Sequence, residues 1–238
     1  MAPAAHNLDW QLERSTGSAA ALHHRAVPDP ASPTIWLHDV AQPALVLGSA
    51  QDDSLVNRPA AVAAGVEVCR RRSGGGLVGL RPGNDLWVDV IVPAGSALWS
   101  DDVGRASHWL GATWAATLTA VLPPGATIEV NTGSLVRREQ GQIVCFAGVG
   151  PGEVVVEGRK VVGLSQRRTR GAARFQCVMT WAWDPSWLVP LIDAAALDRA
   201  DVDLDALAIG LPPELLTDDR APTVASVTDA FLSCLPRR

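Results

Sequence analysis

The sequence predicts an α+β fold, with mixed or antiparallel sheets packed against helices, and three observations carry that expectation. Short apolar runs typical of strands dominate both the first and the later part of the chain. One long helical pattern divides them. A glycine-rich loop is entered from one strand and leads into another, so it does not open a helix as a dinucleotide fingerprint or a P-loop GxxxxGK[ST] would.

The elements follow in order. Residues 1–33 read as an N-terminal unit, with a helix around Leu8–Leu22 and then the loop VPDPASP. TIWLH and ALVLGS, separated by Asp39–Pro43, read as a hairpin. Val56–Ala64 supplies one or two helical turns that stop at Gly65, and VEVC is a strand delivering the chain to Arg70. Asp85–Val92 is rich in β-branched residues and ends at Pro93, which marks a strand. Ser100–Leu122 reads as the long helix, with Asp101 and Asp102 in an acidic first turn and Leu110, Trp114 and Val121 at helical spacing. ATIEV, QIVCF, EVVVEG, RKVVGLSQRR and ARFQCVMTWAW then form a meander of strands. Short helices are expected over Ser186–Asp193, Asp203–Ile209 and Thr223–Leu232. Residues 34–193 make the catalytic body, and 194–238 a helical tail of the same domain.

Composition narrows the function. The chain has 238 residues, 47% of them hydrophobic, which is ample for a large core. No signal peptide and no apolar run long enough to span a bilayer is present, so a cytoplasmic protein without membrane contact is expected. The four cysteines contain no CxxC pair, which argues against a zinc site or a disulfide framework. A formal net charge of -5 argues against nucleic-acid binding. Yet Arg137–Arg174 holds eight basic residues against three acidic ones, a face for an acidic partner or a phosphate-bearing donor, or simply a solvated one. Among the twenty Lys and Arg residues Lys160 is the only lysine, a choice that suits a site needing a compact ammonium with a tunable pKa.

The stretch from Arg70 to Asn84, RRRSGGGLVGLRPGN, holds the strongest functional signal. Consecutive glycines cost backbone entropy and mark a positive φ or a close approach to the backbone. With arginines beside them they suit a phosphate, carboxylate or acyl oxygen; the alternative is a hairpin turn with solvated arginines.

Two segments resemble the catalytic domain shared by lipoate–protein ligases, octanoyl- and lipoyltransferases and, more remotely, biotin ligases. Arg70-Arg71-Arg72-Ser73-Gly74-Gly75-Gly76-Leu77-Val78 is similar to the family's RRxSGGGxV loop, and Gly158-Arg159-Lys160-Val161-Val162-Gly163-Leu164-Ser165-Gln166 to the stretch that carries its lysine. The resemblance implies a biotin/lipoate-ligase-like fold and an acyl site built from Arg70, Arg71, Ser73, Gly74, Gly75, Gly76, Val78, Asn84, Gly163 and Gln166. Lys160 would polarise the acyl carbonyl. The segment around Cys145 resembles octanoyltransferases in which the equivalent cysteine forms a thioester, which makes Cys145 a nucleophile candidate; the alternative is a small buried hydrophobe on the QIVCF strand.

The implied activity is transfer of an octanoyl or lipoyl group to a lysine of a lipoyl carrier, such as the glycine cleavage H protein or the E2 lipoyl domain of a 2-oxoacid dehydrogenase. Acyl carrier protein is a possible donor. The group is a substrate rather than a resident cofactor, and no protein-held metal is expected. An ATP- and Mg²⁺-dependent ligase forming lipoyl-AMP is the second reading, and a non-catalytic acyl-binding module of the same fold the third. Gly79–Gly83 replaces the histidine that many ligases carry after the glycines, and the stretch after Asp193 is shorter than an accessory domain, both of which favour thioester transfer.

Overall fold

The computed structural model describes residues 9–136, 138–201, 203–204, 207, 209–216 and 221–237. The chain enters through strand β1 (Gln11–Gly17), whose side chains alternate between exposed and half-buried, so the period is two and the segment pairs parallel with β2 (Thr34–Val40). The helix expected over Leu8–Leu22 is therefore confined to α1 (Ala19–His24), and Leu8 lies outside the described residues. Ser18 caps α1 by accepting from the Ala21 N–H, and Glu67 accepts from the Ala19 and Ala20 N–H groups at 2.8 and 2.9 Å.

Strand β3 (Ala44–Leu47) does not form a hairpin with β2. Both edges of β2 are taken, by β1 and by the later strand β6, so the chain crosses to a second sheet after Val40. Helix α2 (Arg58–Ala63), capped by Asn57, and β4 (Glu67–Arg70) follow, then β5 (Val78–Leu80). These build a three-stranded sheet in the order β4-β3-β5. β6 (Asp85–Pro93) returns to the large sheet.

Helix α3 (His108–Val121) begins eight residues later than the sequence pattern indicates. Asp102 turns its carboxylate onto the Gly104 and Arg105 N–H groups, and Asp101 accepts from Trp99 Nε1, so these acids hold a loop rather than a first helical turn. The meander then comprises β7 (Ile128–Val130), α4 (Arg138–Ile143), β8 (Val154–Val156), β9 (Arg159–Arg168) and β10 (Ala172–Thr180). The expected QIVCF strand is replaced by the end of α4 and a 3₁₀ turn at Cys145–Ala147; only Val144 bridges to the glycine loop, at Leu77.

The large sheet has seven strands in the order β1-β2-β6-β10-β9-β8-β7. Beyond it come α5 (Pro185–Leu188), α6 (Ala194–Ala200) and α7 (Val224–Cys234), whose Thr223 cap and Ser226 form a capping box. A 3₁₀ turn at Val189–Leu191 takes up the second half of the expected Ser186–Asp193 helix. The helix expected over Asp203–Ile209 falls largely outside the described residues; Ile209 itself bridges to Lys160.

Two apolar layers result. On one face of the large sheet Val88, Val90, Phe175 and Cys177 pack under α3 and α7, where the Trp114 and Phe231 rings stack at 4.5 Å between centroids. On the other face Trp87 and Val178 meet the small sheet through Leu45, Leu47, Val78 and Leu80. β1 and α7 complete the sheet and its helical cover, so the terminal stretches and residues 34–193 share these layers. No described helix is long and apolar enough to cross a membrane.

A polar network crosses the second layer. Buried Arg174 donates from Nε to Asp89 Oδ2 at 2.8 Å and binds the carbonyls of Leu22, His23 and Arg25, tying the end of α1 to β10. Asp89 Oδ1 accepts from Trp87 Nε1 at 2.8 Å, and His38 Nε2 lies 3.1 Å from Oδ2, the oxygen that Arg174 also binds. Burial works against the Asp89 charge, but His38 and Arg174 outweigh it and hold the carboxyl below its usual range. Arg174→Ala removes the countercharge and five hydrogen bonds to four residues at once; a loss of about 3–5 kcal/mol in unfolding free energy is expected from urea titration.

Candidate active site

Three adjacent arginines diverge as the chain leaves β4. Arg70 turns outward, donating to the carbonyls of Gly48 and Gln51 and pairing with Asp53 at 2.6 Å, so it braces the loop before α2. Arg71 turns inward, buried, and its Nη2 donates to the carbonyls of Gly74 and Gly76 at 2.9 Å each, which fixes the glycine loop from inside. Arg72 is exposed and faces a separate cavity described below.

The glycines are there because of what presses on them. Gly75 has φ +98°, and a Cβ on it would meet Arg71 Nη2 at 2.8 Å and Cys145 Sγ at 3.8 Å. A Cβ on Gly76 would lie 2.4 Å from the Gly141 carbonyl oxygen and 2.7 Å from the Cys145 nitrogen. The loop is thus held against the Cys145 turn, and the Leu77 carbonyl accepts from the Cys145 N–H at 2.9 Å. The N–H groups of Gly74, Gly75 and Gly76 donate to nothing among the described residues.

Lys160, nearly fully buried, spends its three donors on the Cys145 carbonyl at 2.9 Å, the Gly148 carbonyl at 2.7 Å and Glu153 Oε2 at 2.6 Å. The ammonium therefore grips the backbone of the Cys145 turn rather than its thiol. Glu153, also buried, accepts in addition from the Gly150 and Leu164 N–H groups at 2.6 and 2.9 Å. Sequence reasoning missed Glu153; a carboxylate seven residues before the only lysine, just ahead of the strand that pairs with the lysine strand, was the signal. Phe146 lies under the ammonium, 4.9 Å from ring centroid to Nζ.

Between the glycine loop and the large sheet runs a narrow slot of about 20 Å³, lined by Val78, Leu80, Trp87, Cys145, Gly163 and Val178, among others. Its far end is polar. Ser73 Oγ lies 3.1 Å from Ser165 Oγ and 3.3 Å from Gln176 Oε1, and Gln176 Nε2 donates to His23 Nδ1 at 2.9 Å. Burial drives the His23 pKa down to about 3, so the ring is neutral and can accept that bond. His23, Trp87 and Gln176 carry no motif; strand register brings Trp87 and Gln176 here, and the docking of α1 on β10 brings His23.

Of the residues proposed from sequence, Arg71, Ser73, Gly75, Gly76, Val78, Cys145, Lys160 and Gly163 meet around the slot or against the Cys145 turn; exposed Gly74 contributes its carbonyl to Arg71. Three sit elsewhere. Arg70 binds the Asp53 loop. Gln166 pairs with Phe175 in the register one step after Ser165, on the opposite face of β9, and Gln176 occupies the slot in its stead. Asn84 donates to the Ala182 carbonyl and to Asp85 and belongs to a small crevice beside Trp187. Among the basic residues, the side chains of Arg137 and Arg138 lie outside the described set.

The fold is a two-sheet α+β domain with a narrow, mostly apolar slot between the sheets and a buried Lys–Glu pair beside it. The chain belongs to the family of the lipoyl protein ligase A/B catalytic domain, whose model matches residues 18–203. Solved structures agree on the fold. The Ta0514 lipoate protein ligase of T. acidophilum with bound lipoic acid superposes with TM-score 0.65 at 15% identity, covering 94% of this chain and 83% of that one. The bi-partite lipoate protein ligase of the same organism, described with its E2 lipoyl domain, gives 0.66 at 15% identity over 94% and 80%. Lipoate-protein ligase A bound with ATP gives 0.62 at 14% identity over 94% and 82%. A search of curated proteins found no match.

Two substitutions probe this packing. Gly76→Ala forces the loop off the Cys145 turn and is expected to cost about 1–3 kcal/mol in denaturant unfolding, with no strain from φ to account for it. Near Asn84, burial pushes the Asp85 carboxyl up to about 6, only partly offset by hydrogen bonds from the Arg81 N–H and Thr180. The folded state binds this proton more tightly than the unfolded state. Its contribution to stability is thus full below about pH 4 and is lost as pH rises through 6. Asp85→Asn should therefore gain on the wild type by about 2–3 kcal/mol between pH 4 and 7 in paired unfolding curves.

Proposed function

We propose that the protein transfers an octanoyl or lipoyl group to the ε-amine of a lysine on a lipoyl-carrier domain, through a thioester on Cys145. The observation that carries this reading is the position of Cys145 Sγ, half-buried on the wall of the acyl slot and directly opposite Gly75. The Cys145 thiolate attacks the carbonyl carbon of a donor thioester and the donor thiol leaves with a proton. The carrier amine then attacks the enzyme thioester, an amide forms, and Cys145 is released as a thiol.

Free N–H groups of Gly74–Gly76 would receive the oxyanion in both steps. Lys160 first positions the Cys145 turn, and it reaches the acyl oxygen by giving up one of its two carbonyl partners, while Glu153 keeps the ammonium paired. Opening the slot is part of binding, since an eight-carbon chain is far larger than its present volume of about 20 Å³. The lipoic acid and E2 lipoyl domain of the T. acidophilum structures support the acyl group and the carrier class. A cytoplasmic setting fits both.

One observation favours an ATP-dependent ligase as the second reading. A cavity of about 620 Å³ opens on the other side of Lys160, bordered by Asn131, Val136, Phe146 and Val155, and its size suits a nucleotide. No group of three or more His, Cys, Asp or Glu side chains gathers among the described residues, so Mg²⁺ would be held chiefly by the nucleotide's own phosphates. Lipoate-protein ligase A bound with ATP supports this alternative.

Intact mass separates the two. Incubation with octanoyl-carrier thioester should add one octanoyl group to the wild type and none to Cys145→Ser, which should also lose transfer by roughly 100-fold or more. Transfer that survives in Cys145→Ser, with pyrophosphate released only when lipoate and ATP are both present, would establish the adenylating route instead.

A further inference from the structure

A third cavity, of about 460 Å³, lies beyond the polar end of the slot, and neither route of acyl transfer uses it. Its position follows from strand register. On the slot face of β9 and β10 the cross-strand pairs run Gly163 with Val178, Ser165 with Gln176, and Arg167 with Arg174. Two register steps, about 13 Å, take the floor from apolar to fully cationic. The hydrogen bonds of Ser73, Ser165, Gln176 and His23 form the wall between the two spaces, and His23 and Gln176 line both.

Charge in this cavity is unbalanced. Arg174 is spent on Asp89 and three backbone carbonyls, and Arg25 on Glu13 and Ser15. Arg72, Arg167 and Arg170 are exposed and have no hydrogen-bonded or ionic partner among the described residues. Asp29 is the single acid on the wall. Three unpaired guanidinium groups face one carboxylate, within a chain whose net charge is -5, so the cavity concentrates positive potential on an otherwise acidic protein. Thr169, in the tight turn between β9 and β10, adds a hydroxyl.

The geometry points to a binding site for a phosphate ester in this arginine-lined cavity, separate from the acyl slot. Guanidinium forks match phosphate oxygens bidentately, and a carboxylate-rich protein surface is the less suited occupant because the site is a concave pocket of ligand size rather than a flat face. Two molecules bring that group to an acyl-transfer enzyme: a thioester donor with a phosphopantetheine arm, or a nucleotide. Binding is measured without turnover, so its failure would leave the acyl-transfer reading untouched.

The test is isothermal titration of the full chain at low salt with coenzyme A, pantetheine, ATP and inorganic phosphate. Coenzyme A should bind saturably and pantetheine, which lacks the phosphates, should not. The Arg167→Ala, Arg170→Ala double variant should weaken that binding by roughly tenfold or more with an unchanged thermal melt, and Arg72→Ala should weaken it separately. ATP binding that depends on the same arginines, without coenzyme A binding, would identify the nucleotide as the source of the phosphate. Absence of saturable binding by every phosphate-bearing probe would overturn the assignment. So would binding indifferent to the arginines, or a double variant that keeps its phosphate affinity and loses only its hold on an acidic lipoyl domain.

Discussion

The ion pair between Lys160 and Glu153 is the interaction on which the site depends. A buried ammonium is tolerated only when every proton is matched, and here a carboxylate and two carbonyls match them. Those partners come from three places: β9 carries the lysine, the turn before β8 carries the glutamate, and the carbonyls of Cys145 and Gly148 bound the 3₁₀ turn. The pair thus adds to the Leu77–Val144 bridge and the close glycine packing that set the Cys145 turn against the loop. Glu153 also takes the Gly150 and Leu164 N–H groups, so the same carboxylate shapes the turn before β8 and docks it on β9.

A second charged cluster performs the equivalent task one layer away. Asp89 and Arg174 join β6, β10, β2 and the end of α1 beneath the slot. Both clusters are satisfied by backbone as well as by side chains, which gives them direction that an apolar contact lacks. The slot is consequently walled by fixed polar anchors at its two ends and by repackable apolar side chains between them, an arrangement in which the middle can open while the ends stay in register.

Much of this was legible in the sequence because it is local. The β-branched runs at Asp85–Val92 and Arg159–Arg168, the glycine loop and the lone lysine each announce themselves within a few residues, and the α+β class follows from their order. The errors share one cause, which is that tertiary pairing decided the outcome. Gln11–Gly17 has residues acceptable in a helix but becomes an edge strand because β2 offers it a partner. Val144 and Cys145 are β-prone but meet the glycine loop at one bridge only, because the Val144 N–H closes α4 on the Gln140 carbonyl while the Cys145 N–H goes to Leu77. Gln166 and Gln176 exchange places because a strand shows alternate faces, and a motif read in one dimension does not say which face meets the loop. His23 carries no local signal at all, being separated from the slot's other walls by nearly fifty residues of chain.

That same alternation explains how one strand pair serves two chemically different spaces. Along β9 and β10 the slot face changes from glycine and valine, to serine and glutamine, to two arginines, while the opposite face of β10 stays apolar through Ala173, Phe175 and Cys177 under α3. A gradient of polarity is built into consecutive register steps, with the α3 side anchoring the sheet and the loop side free to vary. Arg70, Arg71 and Arg72 do the same in miniature: neighbours in sequence, they brace a surface loop, clamp the glycines and face the cationic cavity in turn. Ser73, bonded to Ser165 and Gln176, is therefore where the arginine run meets the wall between the two spaces, and His23 and Gln176 face both.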